Sequence, residues 1–283
     1  MTNISMDISH KVDPEHQKAI RQLNKTLDKL GIPFFLIGAS ARDFVLEFLH
    51  GIKAPRMTMD IDFAVRIKDW DQYDKIHNEL LKVPGFIKTT QKQRFKYGET
   101  IIDILPFGNV SDKDNTISWP PEHEIVMSVS GFEDAYKYAT KIIVAKNPDV
   151  EIKVPTIPGM AFMKLISWDD AGSSRPKDAQ DMYFFLLNYK HTHVIDRIFI
   201  ENQELLVSEG LDDEMASIRL LGQDMAKICN TDTRAKIIQI LRNETSEDSD
   251  FRLTVDIMNH RYDFEDVLIR LQKLRHGFEE VLK

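Results

Sequence analysis

Asp60 and Asp62 stand two residues apart in Asp60-Ile61-Asp62-Phe63-Ala64-Val65, a segment whose polar and apolar residues alternate with period two. The alternation predicts a strand, on which both carboxylates leave one face while Ile61 and Phe63 turn into the core. Two carboxylates held this close repel each other unless a proton or a cation compensates. Asp103 lies between Ile101-Ile102 and Ile104-Leu105, and an acid inside such an apolar strand is costly without a partner. If its strand runs beside that of Asp60, three carboxylates converge. Hard divalent cations take oxygen ligands, and Mg2+ is usually held by one or two carboxylates plus substrate phosphates. The cluster therefore suits displacement at a nucleotide α-phosphate, with two Mg2+ (or Mn2+) ions ~3.5 to 4 Å apart. One ion would lower the pKa of an attacking hydroxyl and the other would hold the triphosphate of an NTP donor. Asp103 is then a shared metal ligand or the base toward the acceptor hydroxyl.

A second feature precedes these acids. Phe34-Phe35-Leu36-Ile37 is a continuous apolar run, as expected of a buried strand. Gly38-Ala39-Ser40 ends it, and a helix is expected over 41–49, with Ser40 and Asp43 spaced as a capping box. Such a turn can direct backbone N–H groups and the Ser40 hydroxyl at phosphates. Taken singly these signals are weak. Exposed strand ends often carry two acids, and Ser40 is adequately explained as an N-cap. Their order is far more specific: buried strand, Gly-Ala-Ser turn, helix, Asp-Ile-Asp strand, then an acid on a later apolar strand.

The elements that must position these residues can be read from spacing. Ile20, Leu23, Leu27 and Leu30 form a helical stripe over 14–30, with Gly31 as its stop. Helical spacing returns over 70–81. Segments 94–97 and 100–105 flank Gly98-Glu99 and predict a hairpin. A polar, turn-rich stretch follows over 107–124, and short strands end with 150–154. Pro158 and Pro176 suit the first turns of helices reaching Trp168 and Tyr189. After His191 only helices are expected, with breaks near Gly210, Asn230 and 244–250. The expected architecture is an α/β (α+β) catalytic core with a mixed sheet, residues 1–156, followed by a helical C-terminal region, residues 157–283.

Composition excludes more than it assigns. Of 283 residues, 42% are hydrophobic and 29% charged, as in ordinary globular proteins, and no apolar run approaches the ~18 residues of a membrane helix. Residues 1–12 read as a frayed tail and not as a signal peptide. Cys229 is the single cysteine, so an internal disulfide and a cysteine zinc site are ruled out and a reducing cytoplasm is expected. Residues 191–283 hold 19 acidic against 12 basic side chains, within a net charge of −8 for the whole chain. No broad basic face and no DNA-binding motif is evident. Lys88, Lys92, Arg94 and Lys96 form a local basic stretch that either meets an RNA acceptor or is the charged outer face of a strand. Trp119-Pro120-Pro121 is a pocket wall or a rigid loop. Neither a G-x-x-x-x-G-K-[ST] loop nor a G-x-G-x-x-G turn is present.

The segment from Leu36 to Val65 resembles the nucleotidyltransferase superfamily typified by DNA polymerase β, in which Gly-Ser or Gly-Gly is followed by a strand carrying Asp-x-Asp. Ala39-Ser40-Ala41-Arg42-Asp43 is also similar to the Arg-Asp segment of CCA-adding enzymes, and segment 51–57 is an expected insertion relative to compact members. From about Phe34 to Tyr189 the chain further resembles bacterial AbiEii-like nucleotidyltransferases of toxin–antitoxin systems. The resemblance includes Thr58-Met59-Asp60-Ile61-Asp62-Phe63, Asp103-Ile104-Leu105-Pro106-Phe107-Gly108, Trp119-Pro120-Pro121, Gly131-Phe132-Glu133-Asp134-Ala135, Lys164-Leu165 and Lys177-Asp178-Ala179-Gln180-Asp181. It implies a helix lysine and a later acid in the site, for which Lys164 and Asp178 are the matching positions and Asp181 the alternative acid. With Gly38, Ala39, Ser40 and Arg42, Lys177 is an implied nucleotide contact and Arg175 a further phosphate candidate. Each has a plainer explanation: Lys164 as a solvated helix lysine, Asp178 as a first-turn acid favoured by the helix dipole.

The resemblance implies transfer of an NMP from an NTP to an acceptor, with pyrophosphate leaving. The AbiEii-like form would act on RNA, such as a tRNA 3′ end, as a growth-inhibiting toxin with a cognate antitoxin. Two alternatives stand beside it. One is an antibiotic-type enzyme with a small acceptor, which the acidic C-terminal region favours; the other is a nucleotide-binding regulator without turnover.

Overall fold

The structure, a computed structural model, describes residues 6–54, 56, 58–124, 126–172 and 175–282. The chain falls into two compact units, residues 1–156 and 157–283.

The first unit opens with β1 (Met6–Asp7) and α1 (Pro14–Leu30), followed by β2 (Phe34–Ile37) and α2 (Gly38–Arg42). A π-helical stretch, Asp43–Leu49, continues α2. Then come β3 (Asp60–Ile67), α3 (Trp70–Leu81), β4 (Phe86–Lys88), β5 (Arg94–Tyr97) and β6 (Thr100–Gly108). The unit closes with β7 (Thr116–Ser118), β8 (Val126–Ser128), α4 (Phe132–Lys137), β9 (Thr140–Ala145) and β10 (Val150–Val154). Capping sets α1: the Asp13 carboxylate accepts from the Glu15 N–H, Pro14 fills the first turn, and Gly31 closes it in the left-handed region.

The principal sheet has the order β2-β3-β6-β5-β4. It is mixed: β3 and β6 run parallel, and every other neighbouring pair is antiparallel. A parallel pair needs a crossover, which here contains α3 and the β4–β5 strands. The alternation in β3 sends Ile61 and Phe63 to the same buried side as Ile102, Ile104 and Phe95, each at most 1% exposed. Against that side the Tyr73 hydroxyl of α3 donates to the Ile104 carbonyl at 2.7 Å, and the His77 ring lies 4.6 Å from that of Phe95. One face of the sheet is thereby pinned to α3, and the opposite face carries the acids.

Three expectations are corrected. Residues 1–12 are not wholly a frayed tail. β1 pairs in parallel with β9, and Ile8 and Val12 are buried, two apolar anchors within a polar segment; residues 1–5 lie outside the described residues. The helix expected over 41–49 starts three residues earlier and is α-helical only as far as Arg42. The stretch 107–124 is not purely turns, since Phe107 and Gly108 complete β6 and 116–118 form β7. Of the expected insertion over 51–57, Pro55 and Met57 lie outside the described residues.

The second unit is helical among its described residues: α5 (Ile157–Ala171), α6 (Pro176–Asn188), a 3-10 turn at Tyr189–His191, then α7 (Val194–Ile200), α8 (Gln203–Ser208), α9 (Asp213–Ile228), α10 (Thr231–Thr245), α11 (Arg252–Met258) and α12 (Phe264–Glu280). The chain breaks coincide with capping residues, because the side chains of Asp212, Asn230 and Asp263 each accept from the first N–H groups of the next helix. Helices α9 and α12 cross closely at Gly222 and Gly277. A Cβ at Gly222 would lie 2.2 Å from the Leu274 carbonyl oxygen, so side chains larger than hydrogen are excluded there.

Candidate active site

Sheet register brings the acids of the first unit together. Asp62 and Asp103 are direct partners across the parallel β3–β6 pair, and Asp60 faces Ile101. Residues opposite one another in a ladder share a face, so all three carboxylates project from the side of the sheet opposite Ile61 and Phe63. Asp103 is buried, whereas the Asp60 side chain is 36% exposed.

The charge that holds these acids was only partly foreseen. Arg94 is the antiparallel partner of Asp103 on β5. Its Nε donates to Asp103 Oδ1 at 2.8 Å and its Nη2 to Oδ2 at 2.7 Å, a two-pronged pairing, and Nη2 also reaches Asp60 Oδ2 at 3.3 Å. The hydrogen bonds to Asp103, reinforced by the charges of Asp60 and Asp62, hold the guanidinium well above its ordinary pKa. The basic stretch that contains Arg94 thus divides. Arg94 serves the carboxylates, Lys92 pairs with Glu122 at 2.6 Å, and Lys96 pairs with Glu99 at 3.1 Å. Spacing alone placed Arg94 on a strand. Its role was hidden because the hairpin register, not the spacing, sets which acid it faces.

The Gly-Ala-Ser turn abuts this cluster. Gly38 has φ +71°, and a Cβ there would stand 2.2 Å from Asp62 Oδ2, so the backbone approaches the carboxylate as only glycine permits. Ser40 is not the N-cap. Ile37 occupies that position without a side-chain cap, while the buried Ser40 Oγ accepts from the Asp62 N–H at 3.4 Å. The capping-box reading fails because the helix already begins at Gly38, which places Ser40 inside it, and the hydroxyl meets a residue 22 positions away. Ala39 is half-buried beside it. Arg42 is 1% exposed; its Nε donates to Asp43 Oδ1 at 2.8 Å and its Nη2 to the Arg56 carbonyl at 2.7 Å. Its guanidinium therefore ties α2 to the segment leading into β3.

Trp119-Pro120-Pro121 lies in a loop outside the helices and strands, and its Trp119 is anchored in the core with ring centroids 5.5 Å from both Trp70 and Tyr73.

A second cluster lies within the second unit. Lys164 of α5 donates to Asp178 Oδ1 at 2.6 Å and stands 3.0 Å from Asp181 Oδ2. Asp178 and Asp181 are three apart on α6 and so share a helix face. The Ser167 hydroxyl donates to Asp178 Oδ2 at 2.9 Å and accepts from Arg175 Nη1 at 2.6 Å. Both acids are buried, so Lys164 is no simple solvated lysine, and it engages both candidate acids. Lys177 is exposed.

Among the described residues, no three His, Cys, Asp or Glu side chains are gathered as a metal cage. Yet the donor chemistry fits Mg2+: carboxylate oxygens on adjacent strands, on one face. Asp60, Asp62 and Asp103 are the residues that would hold it. What departs from a cage is Asp103, both of whose oxygens turn to Arg94.

The model of a family described as nucleotidyl transferase AbiEii toxin, type IV toxin–antitoxin system, matches residues 23–205. No curated protein matches the sequence. Similar solved structures include the antibiotic-resistance factor ANT(2″)-Ia, at 13% identity over 70% of this chain and 98% of that one, with a TM-score of 0.39. The CCA-adding enzyme of Thermotoga maritima, solved with tRNA, is 16% identical over 93% of this chain and 68% of that one, with a TM-score of 0.34.

Proposed function

This chain belongs to the AbiEii nucleotidyltransferase toxin family, and we propose that it transfers an NMP from an NTP to the 3′ end of an RNA, tRNA in particular, in a metal-dependent reaction that inhibits growth. The observation that carries this reading is the register of Asp62 against Asp103 across β3 and β6, with the Gly38 backbone closed onto Asp62.

Asp60, Asp62 and Asp103 form the acidic face at which the reacting groups meet. Bound Mg2+ supplies Lewis-acid stabilisation of the triphosphate and a lowered pKa for the acceptor hydroxyl. The acceptor hydroxyl gives its proton to Asp103 or to water as its oxygen bonds to the α-phosphorus, the bond from that phosphorus to the bridging oxygen breaks, and pyrophosphate leaves. Gly38, Ala39 and Ser40 offer the donor phosphates backbone N–H groups in a helical turn that no side chain caps. Arg42 holds that turn in place through Asp43 and Arg56. Within the second unit, Lys164, fixed by Asp178 and Asp181, is a compact charge of the kind that suits phosphate, and the exposed Lys177 is a further candidate nucleotide contact.

An RNA acceptor is supported by the β4–β5 strands. Lys96 pairs with Ile101, and Ile101 with Asp60, so Lys96 lies on the acidic face two strands, or ~10 Å, from Asp60. The family's toxin description supports growth inhibition and a cognate antitoxin as partner. A single buried cysteine, Cys229, supports a reducing cytoplasm, and no described helix is long and apolar enough to cross a membrane. The acidic surplus of residues 191–283 favours a second reading, a small cationic acceptor.

The test is incubation with each α-labelled NTP, Mg2+ and total tRNA, comparing wild type with Asp62→Asn. Label entering RNA with the wild type alone is expected. Pyrophosphate release that depends on a small cationic acceptor, with no label in RNA, would establish the second reading instead. NTP binding without pyrophosphate release under any condition would leave a regulator without turnover.

A further inference from the structure

The contacts of Arg94 are more than a surface ion pair. Its guanidinium sits on the acidic face itself, bonded to both oxygens of Asp103 and touching Asp60. Three carboxylates on adjacent strands repel one another, and Arg94 is the cation that the sheet register delivers to them. A divalent ion bound by the same carboxylates would need the Asp103 oxygens that Arg94 now engages, and would stand within a few ångströms of a fixed positive charge.

We propose that Arg94 is an exchangeable counter-ion of the active site: it neutralises Asp103 and Asp60 in the arrangement seen here, and must release Asp103 for the catalytic metal to be held by all three acids. The proposal rests on the metal-dependent reading above and adds the residue that sets metal affinity.

Three features support exchange over permanent anchoring. Arg94 is 29% exposed, so its long side chain has solvent to move into. Its contact to Asp60 is a single long one at 3.3 Å. Among the described residues, moreover, the hydrogen-bond partners of its guanidinium are all candidate metal-binding acids. Arg42, by contrast, is buried and bound to a main-chain carbonyl. Arg94 thus acts through Asp103 as a positioning residue. It keeps the sheet stable without a metal, and it sets the metal concentration at which the site assembles.

The experiment is Mn2+ titration of chelator-treated full-length protein, followed by calorimetry and by Mn2+-dependent melting, for wild type, Arg94→Gln, Arg94→Lys and Asp62→Asn. Arg94→Gln should melt lower than wild type in chelator, bind Mn2+ tighter by about tenfold, and gain more thermal stability from Mn2+. Arg94→Lys, which keeps the charge but not the fork, should fall between them and serves if Arg94→Gln does not fold. Mn2+ binding to the Arg94 variants that is equal to or weaker than wild type would overturn the exchange, while binding lost in Asp62→Asn would still uphold the metal site. No Mn2+ binding by any protein would remove the metal reading and the exchange with it.

Discussion

Each unit holds a cation among carboxylates, and the two arrangements are opposites in construction. In the first unit Arg94 reaches across a sheet to Asp103 and Asp60, residues 9 and 34 positions away, and stays partly exposed. In the second, Lys164 is enclosed by Asp178 and Asp181, which a single helix turn places side by side, and the lysine and both acids are at most 18% exposed. The sheet cluster has three acids for one arginine and is open to further positive charge. The helical cluster has its lysine matched on both sides and tied through Ser167 to Arg175. Excess negative charge at an accessible face suits chemistry on a cation-bound phosphate; a buried, matched triad suits a fixed orientation.

That contrast can be broken by substitution. The largest effect is expected on the sheet face. Asp62→Asn should lower NMP transfer by about 10³-fold while leaving the melting temperature near that of wild type, since it removes charge from a cluster with too much of it. In the helical cluster the order should reverse, with stability suffering most. Lys164→Met strands two buried acids and should destabilise the fold by about 3 kcal/mol in denaturant titration, with Asp178→Asn restoring part of the loss. An equally large stability loss in Asp62→Asn would erase the distinction between the two clusters.

Gly38→Ala tests how closely backbone and carboxylate are fitted. The new methyl must displace Asp62 and sits at a positive φ, so activity should fall by about 10²-fold with Asp62 still present. A smaller effect concerns acid. Burial and the nearby charge of Lys88 hold His77 from its ordinary 6.5 down to about 4, and its Nε2 has no hydrogen-bond partner among the described residues. The folded state therefore keeps the neutral ring. Its contribution is complete above pH 6.5 and is lost as pH falls from there toward about 4. The first unit should lose about 2 kcal/mol over that window, read as faster hydrogen exchange in α3 and β5 than in α6. His77→Phe should flatten the dependence.

The acids were legible because they break a strong local pattern. Asp60, Asp62 and Asp103 interrupt apolar runs, and period two assigns their face without a structure. Helix limits such as Pro14 and Gly31 were equally readable, since caps act on their own turn. Arg94 was not readable, because it stands among three lysines and nothing in its neighbours distinguishes it. Ser40 was misread for the same reason: the local cap explained it, and its actual partner, the Asp62 backbone, lies on another strand.

By itself, then, the sequence determined which residues bear the charge, which face of each strand they leave, and where strongly capped helices such as 14–30 begin and stop. All of these follow from interactions within a few residues along the chain. Only the tertiary structure decided that β3 and β6 are parallel neighbours in the register that sets Asp62 beside Asp103, that Arg94 faces Asp103, and that both Asp178 and Asp181 grip Lys164. Those are pairings between distant segments, chosen by how buried faces pack, and no local spacing encodes them.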